Sequence, residues 1–334
     1  MPRILIVTGE ASGDLHGANL ARELRSLRPD AELLGVGGAK MQAAGVRLLD
    51  GIERLDVIGM VGLAQLRAAI HNYKVLSRFL RETPLDTVVF IDHPGLNLRL
   101  ARMAKRAGHH VVYYIAPQVW AWHPGRMKLI SKVVDRMIVI LPFEKALFSQ
   151  AGVPCDFVGH PLLDHVAPVY DRLELRKRFG LDVNAPVLGL LPGSREREVR
   201  SLLPTMLQAA QRLEHTYPSL QVIVAQASSI RDELLEELMA GKDMKVRIVK
   251  DHPNEVMAAA DLLVVASGTA TLQAAVVGTP MVIIYRVSSL TYWLGRWLIK
   301  IKWIGLANII AGRTIVPELI QHDLTPERLT AEAA

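Results

Sequence analysis

Six short polar clusters interrupt an otherwise aliphatic sequence, and each follows an apolar run. Thr8-Gly9-Glu10-Ala11-Ser12-Gly13-Asp14 closes the first such run, Ile91-Asp92-His93-Pro94-Gly95-Leu96-Asn97 another, and Ala116-Pro117-Gln118-Val119-Trp120-Ala121-Trp122 a third. Val158-Gly159-His160-Pro161, Pro192-Gly193-Ser194-Arg195 and Ala266-Ser267-Gly268-Thr269-Ala270-Thr271-Leu272-Gln273 complete the set. The last two suit an anion. Gly193 lets backbone approach a ligand closely, Ser194 can cap a helix starting near Glu196, and Arg195 offers a fixed fork of donors. Free N–H groups at such a helix start favour a pyrophosphate. Ser267, Gly268 and Thr269 form a second cradle of the same kind. Two cradles in one half of the chain fit a diphosphate with a sugar on one side and a nucleoside on the other. Plain capped helices would account for each cluster taken singly.

The other clusters suit a sugar hydroxyl and a base. Asp92 ends an apolar strand, where partial desolvation would raise its proton affinity and make it a usable general base. Capping the next helix is the competing role, with Asn97 merely polar. Glu10, Ser12 and Asp14 place polar groups at a tight glycine-bounded turn, although Ser12 and Asp14 equally suit helix capping. Trp120 and Trp122 beside Pro117 line a pocket, meet lipid or pack in a core. His160 stands at the junction of two halves, where a structural histidine is the alternative to one lining a cleft.

Parallel strands must position these loops. Strands are expected at Ile4–Val7, Thr87–Ile91, Val111–Ile115, Met137–Ile140 and Asp156–Val158, then at Val187–Leu191, Gln221–Ala225, Val246–Val249, Leu262–Ala266 and Met281–Tyr285. Helix-like segments separate them, which is the pattern of an α/β fold with two Rossmann-like domains facing a cleft. A charged helix at Leu173–Phe179 and several prolines place the boundary between His160 and Pro186, and we divide the chain at 1–163 and 164–334. Ligands in such sheets bind beyond the carboxyl ends of strands, where the clusters lie.

Composition agrees with this architecture and narrows the chemistry. The chain has 334 residues, half of them hydrophobic and only 5% aromatic, which is the material of buried parallel strands. A net charge of +6 suits anionic partners. Cys155 is the sole cysteine, so neither an intrachain disulfide nor a cysteine zinc site is available, as expected in a reducing cytoplasm. No run reaches the roughly 20 apolar residues a membrane span needs, and the N-terminus lacks a signal peptide's apolar region. G-x-x-x-x-G-K-[ST] is absent, no G-x-G-x-x-G follows the first strand, and there is no D-x-D pair for a metal–nucleotide complex. Gly35-Val36-Gly37-Gly38 completes neither glycine motif and reads as a structural loop into a helix.

Two segments have the make-up of a membrane surface. Leu63, Leu66, Ile70, Tyr73, Leu76 and Leu80 recur at spacings of three and four, a stripe for core packing or, with Ile58–Leu63, for lipid. Trp293, Trp297 and Trp303 alternate with Arg296, Lys300 and Lys302, a composition that suits headgroups, with a buried helix or subunit interface as the alternative.

Taken in order from Gly9 to Arg313, the clusters closely resemble those of the lipid-A-disaccharide synthases, inverting glycosyltransferases of the GT-B fold. The resemblance implies a UDP-2,3-diacylglucosamine donor and a 2,3-diacylglucosamine 1-phosphate acceptor. It implies a β-1,6-linked product with release of UDP, by single displacement with neither metal nor other cofactor. Carried over by residue, it implies Asp92 as base, Glu10 and Ser12 on the acceptor side in residues 1–163, and Arg195 as diphosphate clamp in a donor domain at 164–334. It adds Asn308, in Ala307–Arg313, as a further site residue. The GT-B donor motif commonly carries Glu at position 273, bonded to ribose hydroxyls, where this chain has the uncharged Gln273. Family members continue through C-terminal helices that pack back on the body, whereas this chain ends at Ala334 soon after Thr325-Pro326 opens a helix. The expected setting is the cytoplasmic face of the inner membrane, with the inner-leaflet surface as partner, no nucleic acid, and a homodimer left open. Two other readings stand beside this one: another UDP-sugar-dependent transferase or epimerase, and a non-catalytic nucleotide sensor at a membrane surface.

Overall fold

Apolar β-branched runs become strands buried on both faces when helices cover each side of a parallel sheet. The computed structural model shows this twice, and it describes all residues except 10, 53–62, 120–123, 168, 242–243 and 288–301. The chain divides into two units, Met1–Pro161 and Leu162–Ala334.

In the first unit the strands are β1 (Arg3–Thr8), β2 (Glu32–Val36), β3 (Arg47–Leu48), β4 (Thr87–Ile91), β5 (His110–Tyr114), β6 (Arg136–Val139) and β7 (Cys155–Phe157). They form one parallel sheet in the order β3-β2-β1-β4-β5-β6-β7. Alternation along each strand feeds two cores. Leu5, Val7, Val88 and Phe90 pack on one face, and Ile6, Val89 and Ile91 on the other. Helices Leu63–Glu82 and Pro94–Arg106 cover the first face through Leu76, Leu80, Leu98 and Ala101.

The second unit repeats the plan with β8 (Val187–Leu191), β9 (Gln221–Gln226), β10 (Val246–Lys250), β11 (Leu262–Ala266), β12 (Met281–Tyr285) and β13 (Glu318–Ile320). Their order is β10-β9-β8-β11-β12-β13. The charged helix entering this unit spans Arg172–Arg178 and is fastened by one buried cation. Arg176, 5% exposed, donates to Asp261 Oδ2 at 2.6 Å and to the Ala259 carbonyl at 2.9 Å. A buried guanidinium is tolerable only when paired and hydrogen-bonded in this way. At the other end Thr325 caps helix Pro326–Ala333, whose Leu329 is fully buried.

The ten expected strands are present within one residue at each end, and β2, β3 and β13 are additions. The edge strands β3 and β13 are too short to show a period. β2 runs into the glycine cluster at Gly35. In both sheets the chain winds outward on one side of a central strand and then crosses to the other. The direction reverses between β1 and β4 in one sheet and between β8 and β11 in the other. Crevices for ligands open at such reversals. No helix among the described residues is long and apolar enough to cross a membrane.

Candidate functional site

The first crevice lies beyond β1 and β4, whose last residues Thr8 and Ile91 are paired. Gly9 and Asp92 come next. A Cβ at Gly9 would stand 2.7 Å from the His93 ring, so the two loops meet only because residue 9 has none. Asp92 and His93 are both left-handed, with φ of 47 and 44, and Ile115 beyond β5 has φ 61. Such values are uncommon for any side chain and a genuine outlier for a β-branched one. Hydrogen bonds hold them. The Asp92 N–H donates to the Tyr114 carbonyl at 3.1 Å and the Ile115 N–H to the Ile138 carbonyl at 3.0 Å. The Asp92 carbonyl accepts from the Tyr113 hydroxyl at 2.6 Å and from Asn97 Nδ2 at 2.8 Å, and the same amide reaches the Ile91 carbonyl at 3.1 Å. Tyr113 and Asn97 are both 0% exposed. Burial, helped by the Asp92 charge, drives the phenol's pKa far above its ordinary value, so Tyr113 remains a donor.

The Asp92 side chain is partly exposed. Helix Pro94–Arg106 has its N-cap at His93, whose side chain makes no cap bond. Beside it opens a cavity of ≈ 510 Å³, lined among others by Asp92, Ile115, Pro117, Gln118, Arg126 and Glu144. Ser12 lies exposed at the start of helix Ala11–Leu27. Asp14 is structural. Its carboxylate accepts from the N–H groups of Gly38 at 2.7 Å and of Lys40 and Met41 at 3.1 Å, capping helix Ala39–Ala43.

At the second reversal, the loop after β8 carries Gly193 at φ 110, where a Cβ would come within 2.6 Å of Glu198 Oε2. Helix Glu196–Thr216 begins one residue later than a Ser194 cap requires. Arg195 is its N-cap, being the last extended residue, and no side chain caps the first turn. Ser194 instead accepts from Ser229 Oγ through its carbonyl at 2.6 Å. The Arg195 side chain is 70% exposed and bonded only loosely to Glu198, at 3.1 Å. After β11, Ser267 donates its hydroxyl to the Ile304 carbonyl at 3.0 Å, and Gly268 begins helix Thr269–Val277, again without a side-chain cap. Thr269 is exposed there. Gln273 Nε2 donates to Asn254 Oδ1 at 3.2 Å. The unit therefore presents two uncapped helix starts on neighbouring strands, the arrangement that attracts anions.

Asn308 proves to be a buried brace. Its Nδ2 donates to the Val316 carbonyl at 2.9 Å and to Glu318 Oε1 at 2.8 Å, and its Oδ1 accepts from Ile315 and Val316 at 2.8 and 3.1 Å. At 0% exposure its amide has no bonding capacity left for a ligand. Glu318 completes the brace by accepting from the Ile304 and Gly305 N–H groups at 2.9 and 3.1 Å. Neither Glu318 nor Tyr113 was marked by the sequence clusters. Their signals were an acidic residue in an apolar run and a phenol on the buried parity of β5.

His160 is partly buried, which lowers its pKa and favours the neutral imidazole. The apolar stripe divides: Leu76 and Leu80 are core residues at 1% exposure, whereas Ile70 is 47% exposed. Trp303 is partly exposed, with Nε1 donating to Thr314 Oγ1 at 2.9 Å and the Lys302 ammonium 5.0 Å from its ring centre. Glu10, Trp120, Trp293 and Trp297 lie outside the described residues, as do the side chains of Leu63 and Leu66.

Comparison with known proteins adds two findings. A family profile described as lipid-A-disaccharide synthetase matches residues 4–334. The lipid-A-disaccharide synthase of Geobacter sulfurreducens is 46% identical over 331 residues, covering 99% of this chain and 86% of the relative. That of Nitrosococcus oceani is 45% identical over 333 residues, with the same coverage of 99% and 86%. Among solved structures, a putative UDP-N-acetylglucosamine 2-epimerase from Listeria monocytogenes superimposes with a TM-score of 0.63 at 13% identity, covering 99% of this chain and 86% of that one. The UDP-GlcNAc 2-epimerase of Neisseria meningitidis, bound to UDP-GlcNAc, gives 0.58 at 13% identity, covering 99% and 94%. At such identities the structural likeness concerns the fold alone.

Proposed function

The chain belongs to the lipid-A-disaccharide synthetase family, and from that premise we propose that it joins UDP-2,3-diacylglucosamine to 2,3-diacylglucosamine 1-phosphate. The products are the β-1,6-linked disaccharide 1-phosphate and UDP. One observation supports the reading above others: four of the six loops chosen for their chemistry follow β1, β4, β8 and β11, the strands that flank the reversal in each sheet.

The first unit binds the acceptor and the second the donor. Asp92 takes the proton from the acceptor's primary hydroxyl as that oxygen attacks the anomeric carbon. The bond to the diphosphate breaks on the opposite side, UDP leaves with the electron pair, and the anomeric centre inverts. The helix starts at Glu196 and Thr269, with Arg195, favour the charge growing on the leaving group, and preorganised donors of this kind usually supply the largest catalytic term. Tyr113 and Asn97 hold the backbone of the base, so little orientational freedom remains to be lost in the transition state. Glu10 and Ser12 complete the acceptor side, and Gln273 meets the ribose as a neutral group. Both substrates carry acyl chains, so the enzyme works peripherally at the inner leaflet. The exposed Ile70 and the Trp–Lys segment ending at Trp303 are suited to that contact.

The test supplies detergent-dispersed donor and acceptor and weighs the product by mass spectrometry. One disaccharide phosphate per UDP released is expected. Equal turnover of unacylated UDP-glucosamine would overturn the lipid substrate, and UDP-sugar isomerisation without transfer would overturn the reaction.

A further inference from the structure

The mechanism above gives no role to the cation in the wall of the Asp92 cavity. Arg126 ends the single turn Pro124–Arg126 that leads into helix Met127–Val133, and it lines the same ≈ 510 Å³ cavity as Asp92. It is half-buried, and among the described residues it has no hydrogen bond or ion pair. Five arginines of this unit, Arg3, Arg28, Arg47, Arg78 and Arg136, instead sit against a carboxylate. The second carboxylate of the cavity, Glu144, is 1% exposed and accepts from the Leu141 N–H at 3.2 Å, which ties it to the start of its own helix. Much of the remaining wall is apolar, with Ile115, Ala116, Pro117, Val119 and Leu141.

A guanidinium partly withdrawn from water among apolar groups keeps its full charge and five donors, and a phosphate is the anion that its planar fork holds at two points. Both charges belong to the wall of this one cavity, and the buried Tyr113 phenol is affected by the negative charge of Asp92 and the positive charge of Arg126. An acceptor that carries a hydroxyl and a phosphate monoester on one sugar ring matches that pair of charges. We propose that Arg126 binds the acceptor's phosphate monoester, setting the sugar in the cavity so that its hydroxyl faces Asp92. The assignment rests on the reaction proposed above. It gives that site a rule: the acceptor is selected by its phosphate, and the phosphate sets which hydroxyl meets the base. The exposed Lys128 and Lys132 on the next helix are not in the cavity wall and take no part.

Two measurements separate this proposal from the reaction it rests on. In the first, steady-state kinetics compare the phosphorylated acceptor with its dephosphorylated analogue for the unmodified enzyme, Arg126→Ala, Arg126→Lys and Lys128→Ala. Arg126→Ala should raise the KM for the phosphorylated acceptor about tenfold or more, the worth of a charge-assisted pair. It should leave donor KM and the rate with the dephosphorylated analogue unchanged. Arg126→Lys should recover part of the loss, and Lys128→Ala should match the unmodified enzyme. Equal losses with both acceptors would overturn the assignment. In the second, binding of soluble glucosamine 1-phosphate is measured without donor, with glucosamine as control. If no disaccharide forms but glucosamine 1-phosphate binds through Arg126, the reaction falls and the phosphate site stands. Equal binding by the unmodified protein and Arg126→Ala removes the site.

Discussion

The loops after β4 and β8 each follow a strand that flanks the reversal in its sheet, yet they are held in opposite ways. After β4, side-chain-bearing residues are forced into the left-handed region and pinned there by a buried phenol and a buried amide. After β8, a glycine takes the left-handed position, the helix start is uncapped, and the key arginine is 70% exposed. The difference fits what the proposed function asks each loop to hold. A general base has to meet one proton on one oxygen, so its backbone is fixed in advance. A diphosphate spreads its charge over several oxygens and can be held by N–H groups together with a guanidinium that closes onto it.

Substitutions can break or sharpen this contrast. The largest effect is expected from Asp92→Asn, which should lower turnover by about 10²-fold or more with an unchanged melting temperature. Near-normal turnover would remove Asp92 as the base. Arg195→Ala should raise donor KM about tenfold, the loss of a charge-assisted contact. Its thermal unfolding should hardly move, because an exposed pair such as Arg195–Glu198 contributes only about 0–1 kcal/mol. A donor KM unaffected by that change would make the loop after β8 merely structural. Gly193→Ala combines a strained φ of 110 with a clash at Glu198 and should destabilise the protein by about 1–3 kcal/mol, read from urea unfolding.

Tyr113→Phe removes a single buried hydrogen bond, a loss of about 1 kcal/mol. Because the carbonyl it releases belongs to Asp92, kcat should fall several-fold while both KM values hold. Lost stability with an unchanged kcat would show the pin to be structural only. The smallest effect concerns His160. Burial lowers its pKa below the ordinary 6.5, so the unfolded chain takes up its proton first as the solution is acidified. Its contribution to stability is complete above pH 6.5 and is lost as pH falls through the lowered value. The slope from this one group cannot exceed about 1.4 kcal/mol per pH unit. His160→Gln should flatten that part of the stability–pH curve, and an unchanged curve would mean that the imidazole has the same environment folded and unfolded.

Much of this was legible in the sequence because the strands of a doubly wound sheet are short, apolar and regularly spaced. Thr87–Ile91 and Leu262–Ala266 could be read to the residue, and the loops after them are where side-chain chemistry can be displayed. Long-range partners could not be read. Asp14 looked like part of the first polar turn, whereas its carboxylate serves a helix more than twenty residues further on. Asn308 stood in a recognisable motif, but only the positions of Val316 and Glu318 reveal that its amide is saturated. Ser194 was misread as a cap because the last extended residue before a helix is fixed by backbone angles, which residue type only biases.

The left-handed residues around the base also bear on the order in which the protein folds. Asp92, His93 and Ile115 each hold conformations that cost on the order of 1–3 kcal/mol and are seldom visited by an unfolded chain. The bonds that offset this cost reach from β4 to Tyr114 and from the end of β5 to Ile138 in β6. No local segment can therefore assemble the loop by itself. It closes only when three strands distant in sequence have paired, making it a late event with high contact order. The amide protons of Asp92 and Ile115 should then exchange with solvent only when the central sheet opens, alongside those of β4 and β5 themselves. An incompletely folded chain would carry the aspartate but not its aim, so transfer activity becomes a measure of whether the sheet is finished.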